Sequence, residues 1–179
     1  MKLYEVLTAL SSLARTGWML RGVPHAVAES VSEHLFASAL IAYEIALLAR
    51  KRGIPVEPER AMAIALVHDL AEAVIGDISK RAGLGEEKER IEREAFESLE
   101  VEEELKDLHR EYAKGSSTEA IIARVADSLA TYLVATRYMA LGYRVDDIAQ
   151  GSIEKAWQVA REGAVEEVLK EFLSRLSSR

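Results

Sequence analysis

Leu3, Val6, Leu7, Leu10, Leu13 and Ala14 recur at helical spacing, so the chain opens with an amphipathic helix that ends before Arg15-Thr16-Gly17. The segment 15–29 carries Gly17, Gly22 and Pro24 and reads as a loop. Ser30 then stands three residues before Glu33 at the head of an apolar run, a capping-box pattern that predicts a helix from about 31 to 50. Pro58 suits the first turn of a further helix, and the pattern carries that helix through His68 and Asp69 to a stop at Gly76. From 86 to 112 a thin apolar stripe of Ile91, Ala95, Leu99, Leu105, Leu108 and Tyr112 runs through Glu, Lys and Arg, which predicts one long charged surface helix, bent or broken. Ser116 with Glu119 gives a second capping box, ahead of a helix through Ile121, Ile122, Val125, Ala126, Leu129, Leu133 and Val134. Gly142 and Gly151 punctuate the connection to a last packing helix over about 152–176, with Trp157, Val165, Val168, Leu169, Phe172 and Leu176 as its stripe. No segment has a convincing strand period. The expected fold is an all-α bundle forming one domain over 1–179.

Composition narrows the partners. With 30% charged residues and a net charge of −7, the chain lacks the basic excess that a nucleic-acid backbone or an anionic membrane would require. Any phosphate must be held by local positive charge. The absence of cysteine removes disulfides, thiolate metal sites and cysteine nucleophiles. The apolar run 35–49 is short for a bilayer and is interrupted by Glu44, and the N-terminus shows no basic-then-apolar signal, so a cytoplasmic location is expected.

The polar residues inside apolar helices change the picture most. His68 and Asp69 are adjacent, and Glu72 follows four residues after His68, so on a helix the three can share a face. Ionised carboxylates in such surroundings need a cation, a counter-charge or water. Asp127 sits on a stripe with Ala120, Ala123, Ala130 and Val134, where small side chains allow close approach and a lone carboxylate is costly without a cation. His34, in the first turn of its helix beside Leu35 and Phe36, reads by itself more readily as a packed histidine than as a ligand.

The order His34, His68-Asp69, Asp127 resembles the H…HD…D signature of the HD-domain phosphohydrolases, which are all-helical. Arg15-Thr16-Gly17-Trp18, Arg21, Glu29-Ser30-Val31-Ser32-Glu33-His34, Leu66 to Glu72, Gly76-Asp77-Ile78 and Glu86-Glu87-Lys88 resemble, in sequence, the blocks of the 5′-deoxynucleotidase branch, the relatives of HD-domain-containing protein 2. The resemblance covers about 3–140. It implies that His34, His68, Asp69 and Asp127 bind one divalent metal, with Mn²⁺, Co²⁺, Fe²⁺, Ni²⁺, Mg²⁺ or Zn²⁺ as candidates. It further implies hydrolysis of (deoxy)nucleoside 5′-monophosphates, with a bound metal polarising the phosphoryl group and activating water. Glu72 is then expected as the base or water-orienting group, and Asp77 as its positioner or a sugar contact. Alternatively Glu72, Asp77 and the Ile78 carbonyl hold a second cation.

Arg15 and Arg21 are the expected phosphate contacts, with Lys80 and Arg81 in reserve. Bacterial members have an Arg directly before the Trp, whereas here Gly17 takes that place and Arg15 lies two residues earlier. Trp18 either packs on the sugar, giving a deoxy preference of roughly 10²-fold, or plugs the core. Homodimerisation is expected from the resemblance and from apolar surface left on the last helix. The rival readings are another HD-type phosphohydrolase and a non-catalytic helical interaction module. A histidine-rich two-metal site is disfavoured, because only His109 lies between the His-Asp pair and Asp127, in an acidic segment expected to be solvated.

Overall fold

A computed structural model describes residues 1–79 and 83–177. Among these residues the regular structure is helical: α1 (Leu3–Ser12), α2 (Thr16–Met19), α3 (Val31–Lys51), α4 (Pro58–Val67), α5 (Glu72–Ile75), α6 (Glu86–Glu97), α7 (Glu103–Lys114), α8 (Thr118–Ala140), α9 (Asp146–Glu162) and α10 (Glu166–Ser177). α3 and α8 lie at the centre, with α4 against both, α9 along α8, and α10 closing over α3 and α9. Ala42, Ala46 and Ala49 of α3, Ala61 and Ala65 of α4, and Ala123 and Ala126 of α8 are all buried where these helices meet. Small side chains at the crossings bring the backbones close. α3 is long and apolar enough by length and composition to cross a membrane, but half of that stretch is buried inside the fold.

The Ser30 capping box is formed: the hydroxyl accepts from the Glu33 amide and the Glu33 carboxylate accepts from the Ser30 amide. Pro58 occupies the first turn of α4. Several boundaries differ from the sequence expectation. Segment 15–29 contains the short helix α2, because Trp18 within it is buried against Val23 and Tyr138. α4 ends at Val67, where the His68 ring donates from Nδ1 to the Ala65 carbonyl at 2.7 Å. The backbone then tightens into three-residue turns, Val67 to Leu70 and Asp69 to Glu72, before α5 begins. His68 and Asp69 therefore lie on a turn between two helices and Glu72 opens α5, so the three do not share one helical face. Gly76, at φ 75°, ends α5 in a conformation that favours glycine.

The long charged helix is two helices. A break over 98–102 lets α6 fold back on α7, burying Phe96 and Leu99. α8 is capped by Ser117, one residue later than expected, while Glu119 accepts from the Glu57 amide at the start of α4. The last helix is also two, α9 with Gly151 inside it and α10 after a turn through Ala164 at φ 55°. Val165, Val168, Leu169 and Phe172 are buried in the central core, so most of this stripe is consumed within the chain, while Leu176 at its end stays exposed.

His109 corrects another expectation. It is buried, stacked on Phe96 with ring centroids 4.0 Å apart. Burial, reinforced by the charge of His68, pushes its pKa down to about 4. Because the folded value lies below the ordinary 6.5, this residue leaves stability untouched above pH 6.5 and lowers it as pH falls from there towards 4, where the unfolded chain takes the proton first. The full effect is roughly 3 kcal/mol. Urea melts of the wild type and His109→Phe at pH 7 and pH 4 should show the variant losing less stability on acidification by about that order; parallel losses would contradict the buried neutral ring.

Candidate metal centre

Three parts of the chain deliver the buried polar cluster. His34 comes from the first turn of α3, His68 and Asp69 from the turn after α4, and Asp127 from the middle of α8. His34 is fully buried and His68 nearly so. Asp127 Oδ1 lies 3.2 Å from His34 Nε2 and 3.8 Å from His68 Nε2. Asp69 Oδ2 lies 3.2 Å from His68 Nε2 and 3.9 Å from His34 Nε2. One ligand atom each from His34, His68 and Asp127 fall within 4.8 Å of one another. The four side chains thus aim their donor atoms at one point.

The field there is strongly negative. Burial opposes ionisation of Asp69 and Asp127, yet the histidines, and for Asp127 first Lys155, hold both carboxyls below the usual range. Burial would lower His68, but Asp69 beside it and Asp127 raise it to about 9. Burial, together with the Arg15 charge, keeps His34 low. Two carboxylates near two imidazoles attract a positive charge, and a proton on His68 answers that demand when nothing else does.

The donor set fits a divalent cation. His68 donates from Nδ1 to a carbonyl, which fixes the ring and leaves Nε2 buried with no well-aligned hydrogen bond, in ion-pair range of Asp69 Oδ2 at 3.2 Å. A buried nitrogen without such a bond is costly unless it meets a ligand. Arg15 donates to His34 Nδ1 at 2.8 Å, which places the His34 proton on Nε2, facing Asp127. For Nε2 to bind a metal that proton must shift to Nδ1, the atom that Arg15 now faces; Glu29 Oε1, 4.0 Å away, is beyond hydrogen-bond reach of it.

The cluster floors a cavity of about 1080 Å³ lined by Arg15, Trp18, Glu72, Ile78, Tyr112 and Lys155 among others. Glu72 is buried with Oε2 unpartnered, and burial, with Asp69 and Asp77 beside it, pushes its carboxyl up to about 10. Asp77 and Ile78 border the same cavity, and the Asp77 carboxylate accepts from the Thr16 amide at 2.5 Å, tying α2 to the segment after α5. Arg15 is enclosed, its guanidinium 3.6 Å from Glu29 and 3.2 Å from the Thr131 hydroxyl. Arg21 borders the cavity in a two-pronged ion pair with Asp147. Trp18 reaches the cavity wall but is only 1% exposed; its indole donates to Glu29 and meets Tyr138 edge-on, which is the core-plug arrangement. Truncating it would open a core void, contrary to the expectation for a loop residue. Lys80 and Arg81 lie outside the described residues.

The sequence profile of the family described as the HD domain matches residues 7–168. The chain belongs to the HD domain family. It is 33% identical over 141 residues to the zebrafish (Danio rerio) protein named 5′-deoxynucleotidase HDDC2, an alignment covering 75% of this chain and 66% of that protein. The chain therefore spans a little under two thirds of that relative's length. Among solved structures it resembles the PH0347 protein of Pyrococcus horikoshii OT3, at 31% identity and a TM-score of 0.76 over 97% of both chains. A conserved hypothetical protein of Pyrococcus furiosus matches at 31% identity and a TM-score of 0.77, covering 94% of this chain and 98% of that one. The all-helical reading and the family resemblance are thereby shown.

Tyr112, Glu29 and Thr131 escaped the sequence reading as parts of the site. Tyr112 belongs to a thin apolar stripe in the sequence, and the packing of α7 against α4 and α8 brings its hydroxyl to Asp127 Oδ2, 3.1 Å away, while its ring packs 4.9 Å from that of His68. That bond leaves Asp127 Oδ1 directed at the histidines. Tyr112→Phe should keep the fold and weaken Mn²⁺ binding by about tenfold or more, read by calorimetric titration; unchanged affinity would show that the hydroxyl does not orient Asp127.

Proposed function

We propose that the protein is a divalent-metal-dependent phosphomonoesterase that hydrolyses (deoxy)nucleoside 5′-monophosphates to nucleoside and phosphate. The observation that carries this reading is His68 Nε2, which has no well-aligned hydrogen bond at the floor of the cavity and faces Asp69 and Asp127 with His34 beside them. The deoxynucleotide substrate comes from the names of relatives such as the zebrafish protein.

In this reading His34, His68, Asp69 and Asp127 hold one divalent ion, drawn from Mn²⁺, Co²⁺, Fe²⁺, Ni²⁺, Mg²⁺ or Zn²⁺. Two imidazoles and two carboxylates leave room for water and a phosphate oxygen, and the bound ion supplies Lewis acidity at that point. Glu72 stands next in the chain's turn, close enough to Asp69 to feel its charge. Its carboxyl is held neutral by that neighbourhood, and a divalent charge at the cluster would favour the carboxylate, the form that can take a proton from water. Asp77, fixed by the Thr16 amide, positions Glu72 or meets the sugar; Glu72, Asp77 and Ile78 are also the candidates for holding a second cation. Arg15 is the cation nearest the imidazole of His34, and Arg21 guards the rim in its pair with Asp147. Trp18 contributes by shaping the wall and holding Glu29. The setting proposed is cytoplasmic and homodimeric, with small-molecule nucleotides as partners and neither nucleic acid nor membrane. With most of the α10 stripe buried, exposed Leu3, Tyr4 and Leu7 on α1 and Phe36 and Leu40 on α3 are among the apolar residues that could face a second copy.

Phosphate release from matched deoxy- and ribonucleoside 5′-monophosphates, with each metal in turn, tests the activity. Release from the deoxy series that disappears with chelator and returns with metal is the expected result; no release with any metal would contradict it. Glu72→Gln should lower kcat by roughly 10²–10⁴-fold while Mn²⁺ stays bound. A matched loss of metal would instead make Glu72 a ligand, and a normal kcat would end its role as base.

A further inference from the structure

We infer that Lys155 of α9 is a substrate-binding residue that grips the phosphate beside the metal cluster, an inference that rests on the phosphomonoesterase reading. A monophosphate dianion entering this cavity meets an acidic floor, so its recognition depends on which cations can turn towards it. Three of the cations lining the cavity are matched by carboxylates of their own. Arg15 lies 3.6 Å from buried Glu29, Arg21 is bound by Asp147, and Lys88 pairs with Glu92 at 3.1 Å. Arg124, also on the lining, donates to the Tyr112 and Ala113 carbonyls, and none of the described ion pairs joins Arg93 or Lys114 to the cluster. Lys155 differs in its carboxylate partner: its ammonium lies 3.6 Å from Asp127 Oδ2, a candidate metal ligand.

That partnership makes Lys155 responsive to the state of the site. With no cation at the cluster, the ammonium answers the charge of Asp127. When a divalent ion takes up that charge, the attraction between Lys155 and Asp127 weakens, and the ammonium is left within a few ångströms of the open side of the cluster. A phosphate oxygen there would replace the carboxylate as its partner in a charge-assisted hydrogen bond. The surroundings permit this. Lys155 is 41% exposed, against 18% for Arg15, so a solute can reach it. On α9, Ile148, Gly151, Ser152, Lys155 and Val159 border the cavity at helical spacing, so one face of the helix forms its wall. Gly151, one turn before Lys155, has nothing within 4 Å of where a Cβ would stand.

Calorimetric titration of inorganic phosphate into Mn²⁺-loaded wild-type protein, Lys155→Met and Lys155→Arg tests the inference, alongside the Mn²⁺ affinity of each protein. The expected result is a phosphate Kd about 10- to 100-fold weaker in Lys155→Met, Mn²⁺ affinity at least as high as in the wild type, and phosphate binding recovered to within a few-fold in Lys155→Arg. Phosphate affinity within twofold of the wild type in Lys155→Met would overturn the inference, and a fall in Mn²⁺ affinity alone would make Lys155 a positioning partner of Asp127. The kcat/KM for deoxynucleoside monophosphates should fall in step with phosphate affinity. A wild-type protein that binds phosphate through Lys155 but releases none from these substrates would overturn the proposed function while leaving the lysine's role intact; one that turns them over equally well in Lys155→Met would do the reverse.

Discussion

The structure depends on the mutual repulsion of Asp69 and Asp127, whose carboxylates converge on two buried imidazoles. Neither charge is supportable alone in that setting, since an unpaired buried carboxylate costs several kcal/mol. Much of the surrounding architecture answers this constraint. Lys155 and the Tyr112 hydroxyl meet Asp127 from one side, His34 and His68 from the other. The residual demand appears as the proton drawn onto His68 and the neutral carboxyl of Glu72. The proposed metal site gives the cluster a cation that would resolve this charge, and the chain's membership of the HD domain family is the context of that proposal.

The helices bring these residues together through packing that contains little chemistry of its own. Alanines at the crossings of α3, α4 and α8 let three backbones approach, and so bring His34 on α3 and the turn after α4 into range of Asp127 on α8. The apolar core on the far side, closed by Val165, Val168, Leu169 and Phe172, holds that geometry in place. Around the rim the logic changes to polar ties. Thr16 binds Asp77, Trp18 binds Glu29, and Tyr138 accepts from the Glu29 amide while donating to the Val27 carbonyl. These bonds fasten the 15–29 segment over the cluster.

The helical class and the capping box at Ser30 were legible in the sequence because they rest on local spacing, whereas His34, His68, Asp69 and Asp127 were grouped there through the resemblance to the HD-domain phosphohydrolases. Helix ends were less so. The pattern of apolar positions runs unbroken through His68, while the backbone ladder stops at Val67, where the His68 ring takes up the Ala65 carbonyl. The charged segment 86–112 has one stripe in sequence but two helices in space, since burying Phe96 against His109 requires the chain to reverse. His109 therefore reads as solvated from its acidic neighbours and is buried in fact. Tyr112 and Glu29 join the site only through contacts between distant elements, and no local pattern signals that.

Diffraction from Mn²⁺-loaded crystals at a wavelength where manganese scatters anomalously tests the central claim most directly. The expected result is a single strong peak about 2.0–2.3 Å from His34 Nε2, His68 Nε2 and one oxygen each of Asp69 and Asp127, with Arg15 turned away from His34 Nδ1. A protein that shows no anomalous peak among these four side chains, or one only at surface carboxylates elsewhere, would contradict the assignment of this cluster as the metal centre.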